Sequence, residues 1–511
     1  MAVIGILLAI AIAYLVHCAY ERWQHYQIGK KIGVPHDPPG FFLGSFTQVS
    51  AYVQKYGVER MPFFHLEQFK KHGENFIIFN AAILAQINTR NLEVIRNVFI
   101  KQFSKFVDRE DVHPFFGNFP MGESLLQVGK TGPHDYGWKA IRSVASPAFT
   151  TGKMKQMFPV IHERCLKLIS VLKEKATSGV VFDIYDEFQA LTLDVIGRTA
   201  FGTNADSLSD RNDHFYTASR KYVGSMDYRE SFAIKIGFIF PSIFPFIVAF
   251  DKLYWIQRGL INDLRKVLSY RKQHADEARK VDLIQLMLKE DEERQIRENK
   301  PAMREDTIIS NCFGFLIAGY ETTSTALAYT SWLLAQHPEV QSTLHNEIVE
   351  AFDAEDEVDY DTAMKLPYLN TVYKESLRLK PPVVTFCART ALEDVTIGDL
   401  HIPRGVSVSA PVHCIHWDEK HWPDPFKFDP TRFTDGKQHD PLTWIPFGIG
   451  PRMCAGMRFA EMELKLTLVE LIRKYEILPD PSNTDSDLKS TLSTVLLRPV
   501  DGVKVVLKNR S

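Results

Sequence analysis

The sequence predicts a mainly α fold with small β-sheets (α+β), built as one large domain behind a single N-terminal transmembrane anchor. Three observations carry this expectation. Helical periodicity dominates from about residue 90 to residue 380. Strand signals gather on either side, at 75–90 and beyond 390. Ala2–Tyr20 is an unbroken apolar run, AVIGILLAIAIAYLVHCAY, long enough to cross a bilayer core.

The elements follow in order. No basic residue precedes the apolar run, while Arg22, Lys30 and Lys31 follow it. That pattern favours an uncleaved signal-anchor over a cleaved signal peptide, with the bulk of the chain on the cytoplasmic side. Residues 1–21 are read as the anchor and 22–40 as a linker. The linker ends in VPHDPPG, where Pro38 and Pro39 favour a stiff, extended backbone. No clean linker divides 41–511, which is read as one domain. NFIIFNAAILAQINTR (75–90) reads as two short strands around a turn. Phe232–Phe250 is strongly apolar but broken by two prolines; it suits either core packing or a surface segment dipping into a bilayer. Lys289–Lys300 is a mixed-charge run, read as a solvated loop or helix end. Arg304–Gln336 lacks proline and is apolar on most faces, so it should be a buried helix of about 50 Å. VTIGDLHIP reads as a hairpin turning at Gly398-Asp399, followed by a strand in GVSVSAPV. TLSTVLL and VKVVL, flanking RPVDG, are expected to pair as a second hairpin.

Composition narrows the function. Of 511 residues, 45% are apolar and 24% charged, which is ordinary for a globular protein with a sizeable core. The net charge of -2 argues against a general nucleic-acid binder. The six cysteines are sparse and no two have zinc-knuckle spacing, which favours reduced thiols.

One of them, Cys454, lies in IPFGIGPRMCAGMR. Phe447, Gly450, Arg452, Cys454 and Gly456 fit F-x-x-G-x-R-x-C-x-G. Amides of such a loop, and the N-terminus of the helical stretch Arg458–Tyr475, favour thiolate over thiol. A protected thiolate is a natural axial ligand to iron, and thiolate ligation favours O–O cleavage. Gly450 and Gly456 would let the backbone approach a flat macrocycle.

On this loop, and on anchor, proline hinge and further motifs in order, the chain resembles the cytochrome P-450 family of haem-thiolate monooxygenases, in its microsomal eukaryotic branch. The resemblance implies the P-450 fold around haem b, with Cys454 ligating the iron and Phe447 beside it. In AGYETTS (Ala318–Ser324), Ala318 and Thr322 share a helix face. Gly319 leaves a gap, and the resemblance makes Thr322 and Glu321 the catalytic, proton-delivering pair. The alternative for Thr322 is a hydroxyl bonded back to the carbonyl four residues earlier. Trp138 and Arg142 in WKAIR, Arg452 and Arg389 are implied haem-propionate donors. Glu375 and Arg378 of ESLR, with Arg432 of FDPTRF, are implied to form a buried structural triad; Thr431 stands where the family commonly has Glu.

Pro382–Phe386, Phe315 and the loop Val107–Met121, with Phe115, Phe116 and Phe119, are implied to border the substrate pocket. Such walls suit an apolar small molecule: a steroid, a fatty acid or a foreign compound. The implied reaction inserts one atom of O2. Its electrons derive from NADPH through a separate flavoprotein, NADPH–cytochrome P-450 reductase, with cytochrome b5 as an optional second partner. Arg458 and Lys465 are weak candidates for the docking face. The implied location is the endoplasmic reticulum membrane. Two rivals remain: a peroxide-rearranging relative, which would tend to lack the Glu–Thr pair, and a non-catalytic haem protein, which would not need it.

Overall fold

The computed structural model describes residues 2–80, 84–110, 114–133, 136–226, 231–274, 282–299, 301–352, 357–482, 487–493 and 495–510. Helices dominate and the sheets are small, as the periodicity predicts. A central helix, Glu305–Gln336, runs through the main apolar core with most of its residues buried. Its broadest partner is the helix Ile184–Phe201, itself buried on nearly every face. Helix Thr151–Ser178 packs on the C-terminal helix Met457–Lys474, completing the layer beneath.

The first helix spans Ala2–Ile32 and is, among the described residues, the one long and apolar enough to cross a membrane. It continues past residue 21, so only 33–40 of the expected linker is non-helical. Arg22 explains part of this. Its guanidinium is buried and donates to the carbonyls of Cys18 (3.0 Å) and Ile239, tying the helix to the 232–250 segment. That segment folds as short helices with two faces. Ile234 and Phe244 turn inward, while Phe246 and Phe250 are 77% and 80% exposed.

Among the described residues, four sheets flank the helices. Strands β1 (Asn75–Asn80) and β2 (Leu84–Thr89) pair antiparallel, Asn75 opposite Thr89. The short strand β3 is Phe182–Asp183. Strands β4 (Ala388–Thr390), β5 (Val395–Ile397), β6 (Leu400–Ile402) and β7 (Ser407–Ser409) follow the ESLR helix Pro367–Leu379. The sheet order β1-β2-β7-β4 joins distant parts of the chain, whereas β5 and β6 form the expected hairpin, with Gly398 at φ 56° in its turn. Strand β8 is Tyr475–Pro479.

The second hairpin departs from expectation. β9 (Ser490–Ser493) and β10 (Leu496–Pro499) pair with each other, so the turn falls inside TLSTVLL. β11 (Lys504–Asn509) pairs instead with β8 and β3. Pro499 helps explain this, since it ends β10 and cannot donate to a ladder. The run 289–300 also differs. Leu283–Glu298 is a helix whose Asp291 and Arg294 are buried; Lys300 lies outside the described residues. No disulfide joins the cysteines.

Candidate active site

A cavity of about 580 Å³ opens between the central helix and the cysteine loop. Phe315, Ala318, Gly319 and Thr322 line it from the helix side. Their i, i+3, i+4, i+7 spacing puts them on one face. Cys454, Phe447 and Gly448 line the opposite side.

The loop is held by its own backbone. Cys454 N–H donates to the Phe447 carbonyl at 2.8 Å, and Met453 N–H to that of Gly450 at 3.0 Å. Gly448 and Gly450 sit at φ 71° and 72°, the left-handed region open to glycine. A Cβ at Gly450 would also strike the Phe99 carbonyl. Gly456 is different: its φ is -88°, so its backbone imposes no such demand. The glycines whose backbone conformation shapes the loop are therefore 448 and 450.

Cys454 is exposed and lines the cavity. Burial raises its pKa; the Gly456 N–H and the guanidiniums of Arg142 and Arg109 oppose that shift. The helix from Met457 begins immediately beyond.

Five arginines line the same cavity: Arg109, Arg142, Arg389 and Arg452 in one cluster, and Arg498 apart from it. None makes an ion pair with a described carboxylate. Nε of Arg109 and Arg389, and both Nε and Nη1 of Arg452, are buried without a hydrogen-bond partner. Desolvation pushes Arg389 down to about 10 and Arg452 to about 9, and it also lowers Arg109. Buried guanidiniums without counter-ions are costly. They fit a ligand that carries carboxylates of its own. Trp138 lines the cavity beside them, with the Arg452 guanidinium 5.3 Å from its ring centre. Arg142 donates to the Met453 carbonyl at 3.1 Å, which links it to the loop. Arg109 escapes a reading by motif because no patterned residues flank it; only the fold brings it beside Arg389 and Arg452.

On the helix side, the Thr322 hydroxyl donates to the Ala318 carbonyl at 2.6 Å, the back-bonded arrangement. Its lone pairs remain available toward the cavity. Glu321 does not line the cavity. It is 1% exposed and faces helix Ile184–Phe201, where the Tyr185 hydroxyl and the Gln189 amide (3.2 Å) donate to its two oxygens. Burial raises its pKa, against those two hydrogen bonds. Gly319 turns its Cα toward Ile196, so the gap there is closed by a neighbouring helix.

The triad assembles. Arg378 donates to both oxygens of Glu375 at 2.7 and 2.9 Å, and Arg432 Nε lies 3.4 Å from Oε1. Thr431 turns its hydroxyl to Asp429 (2.7 Å) and leaves the arginine in place. Of the implied pocket residues, Phe116, Phe315, Pro382, Val383 and Phe386 line the cavity. Phe115 instead packs into the core against Tyr222 and Phe244, and Phe119 reaches the surface under Arg265. Lys465 is 1% exposed and bonded to Glu461 (2.8 Å) and the Met364 carbonyl (3.1 Å), so it is no docking residue; Arg458 is exposed.

A thiol on a glycine-shaped loop, beside buried arginines without counter-ions, suits a flat ligand that carries carboxylates of its own. The comparisons show the family. A model of the cytochrome P450 family matches residues 35–505. Cytochrome P450 3A16 of Mus musculus is 33% identical over 509 residues, 98% of this chain and 95% of that protein. Cytochrome P450 3A5 of Homo sapiens is 33% identical over 485 residues, 92% and 90% of the two chains. The chain belongs to the cytochrome P450 family of haem-thiolate monooxygenases.

Proposed function

We propose that this P450 inserts one atom of dioxygen into an apolar small molecule of the steroid, fatty-acid or foreign-compound class. Electrons derive from NADPH through a separate flavoprotein reductase, with cytochrome b5 as an optional second donor. The first helix would anchor the protein in the endoplasmic reticulum membrane, residues 1–21 spanning it and 41–511 forming the cytoplasmic domain. The observation that carries the reading is the apolar cavity with Cys454 on one side and Thr322 on the other.

Haem held there supplies one-electron chemistry and dioxygen activation, and thiolate ligation favours O–O cleavage. The chain supplies the rest. Cys454 is the ligand; burial raises its pKa, and the Gly456 N–H and the helix start oppose that rise. Arg452, Arg389, Arg142 and Trp138, with Arg109 added by the fold, are assigned to the two propionates, since guanidinium matches carboxylate. Phe447 packs beside the ligand. Thr322 Oγ1 is assigned a proton-handling role at the cavity wall, its hydroxyl fixed by Ala318. Glu321 holds a proton in reserve; burial favours its neutral form. It would act from behind the helix, on turning away from Tyr185.

The test is reconstitution with purified reductase, NADPH and 18O2 against steroids, fatty acids and foreign compounds, read by mass spectrometry. One labelled oxygen atom in a product is expected. The reading fails if no product gains label while reductase-driven reduction of the haem is observed. Cys454→Ala should abolish the red-shifted Soret band of the reduced, carbon-monoxide-bound protein; an unchanged band would end the ligand assignment.

A further inference from the structure

Away from the arginine cluster, the cavity wall carries one carboxylate among the described residues, Glu110. It precedes the segment 111–113 and leans on the four-stranded sheet. Asn80 Nδ2 donates to its Oε1 at 2.6 Å. Gln86 Nε2 and Ser407 Oγ (3.0 Å) donate to its Oε2. The three donors come from β1, β2 and β7. All are neutral, and no described cation lies within ion-pair distance of Glu110. The adjacent Arg109 is engaged elsewhere: it donates to the Phe386 carbonyl at 2.6 Å, with its guanidinium 3.9 Å from that ring's centre.

This arrangement differs from the usual fate of a carboxylate in a cavity wall, here half-buried. A buried charge is ordinarily paired with an opposite charge. Here burial raises the carboxyl's pKa, while the three donors oppose that rise and fix the group's position without cancelling its charge, so a ligand cation would complete the stabilisation of the ionised form. A ligand cation beside it would meet an oriented anion in a low-dielectric wall, where attraction is strongest. The cost of orienting the group has already been met by the sheet.

We propose that Glu110 is a specificity-determining residue of this cavity, the counter-charge for a basic group on an otherwise apolar substrate. The substrate class it selects is the lipophilic cation. The proposal rests on the reading of this cavity as the substrate site. The wall's other charge outside the arginine cluster, Arg498 on β10, would select an acid instead. It has no hydrogen bond to a described side chain holding it in place, whereas Glu110 has three. Pre-organisation therefore favours the carboxylate.

The test uses the full-length, haem-loaded protein and equilibrium dialysis with three probes of one skeleton. They are trimethyl(6-phenylhexyl)ammonium, its neutral carbon isostere, and 7-phenylheptanoate. The quaternary nitrogen cannot ligate iron, so binding reports the wall alone. In the parent protein the cation should bind more tightly than the carboxylate. Glu110→Gln should weaken the cation about tenfold, the order expected for one charge-assisted contact, and leave the isostere unchanged. A cation-to-isostere ratio within twofold of the parent's in Glu110→Gln would overturn the proposal. So would tighter binding of the carboxylate by the parent, which decides the matter even if the variant loses its haem. Selectivity for the cation with no oxygenated product from any compound would break the monooxygenase reading and leave this one standing. Labelled products without selectivity would do the reverse.

Discussion

Glu375 and Glu321 are both withdrawn from solvent, at 0% and 1% exposure, yet their surroundings are opposite. Glu375 meets two guanidiniums, Arg378 and Arg432, and accepts the Asp429 N–H at 3.0 Å. Arg378 in turn donates to the carbonyls of His416 and Pro425, both at 2.8 Å. Trp444, whose indole donates to the Lys374 carbonyl at 3.0 Å, connects this knot to the cysteine loop. Glu321 meets only neutral donors, Tyr185 and Gln189. Burial raises the pKa of both carboxyls. For Glu375 the arginines in contact with it oppose that shift; for Glu321 the Tyr185 hydroxyl is the first opponent and the Arg498 guanidinium, beyond ion-pair distance, the next. The lesson is that counter-charge, not burial, separates a carboxylate that fastens backbone from one able to exchange a proton.

The largest expected effect breaks the first region. Glu375→Gln strands two arginines in a buried setting, and removing one partner of a buried pair costs about 3–5 kcal/mol. Urea unfolding of the holoenzyme should show that loss, together with weaker haem retention. A change under about 1 kcal/mol would mean that the arginines rely on backbone carbonyls alone.

Glu321→Gln should separate the two regions most sharply. The amide keeps the shape and one acceptor, so stability should stay within about 1 kcal/mol of the parent. Product formed per NADPH consumed should fall about tenfold or more, the lower range for a lost proton-transfer group. The pH dependence has a definite sign. The folded carboxyl titrates above its unfolded value, so its stabilising contribution is complete at acidic pH and fades as pH rises through the folded pKa. The parent should therefore lose stability relative to Glu321→Gln between mildly acidic and neutral pH. Paired urea titrations across that range check it; a constant difference would show that Tyr185 and Gln189 compensate the charge fully.

Much of this was legible in the chain. The central helix, the ESLR helix stopped by Pro381-Pro382 and the first two strands are local patterns, set by period and proline. The second hairpin was not, because β11 finds its partners across the molecule. The same division runs through the site. Cys454, Arg452 and Gly450 sit in one contiguous motif with a built-in geometry. Arg109 and Glu110 acquire meaning only where the fold sets them against the cavity. Sequence spacing also put Glu321 beside Thr322, but adjacent residues on a helix face different ways, and their side chains separate accordingly.

A smaller effect is expected at Thr322. Its hydroxyl already satisfies the Ala318 carbonyl, so Thr322→Ala removes one local bond and the cavity-side lone pairs. Haem content and stability should hold, while coupling of NADPH to product drops several-fold. Thr322→Ser, which restores the hydroxyl without the methyl, should recover most of it. Equal coupling in Thr322→Ala and parent would reduce the residue to its back-bonded role.

The smallest effect is expected at Gly319, where two terms oppose each other. Alanine in a helix interior is favoured over glycine by about 1 kcal/mol. Its Cβ would lie 2.9 Å from Ile196 Cδ1 and 3.2 Å from Cγ1, closer than packed atoms tolerate. Ile196 also lines the cavity, so its outer methyl has room to swing that way. Gly319→Ala should then change stability by less than about 1 kcal/mol in either direction, while the displaced methyl narrows the cavity and weakens neutral ligands. The double variant Gly319→Ala/Ile196→Val removes the crowding methyl, and it should restore ligand affinity and keep the helical gain. If Gly319→Ala alone cost more than about 2 kcal/mol, the contact between the two helices would be rigid, and glycine would be required for packing rather than for cavity space.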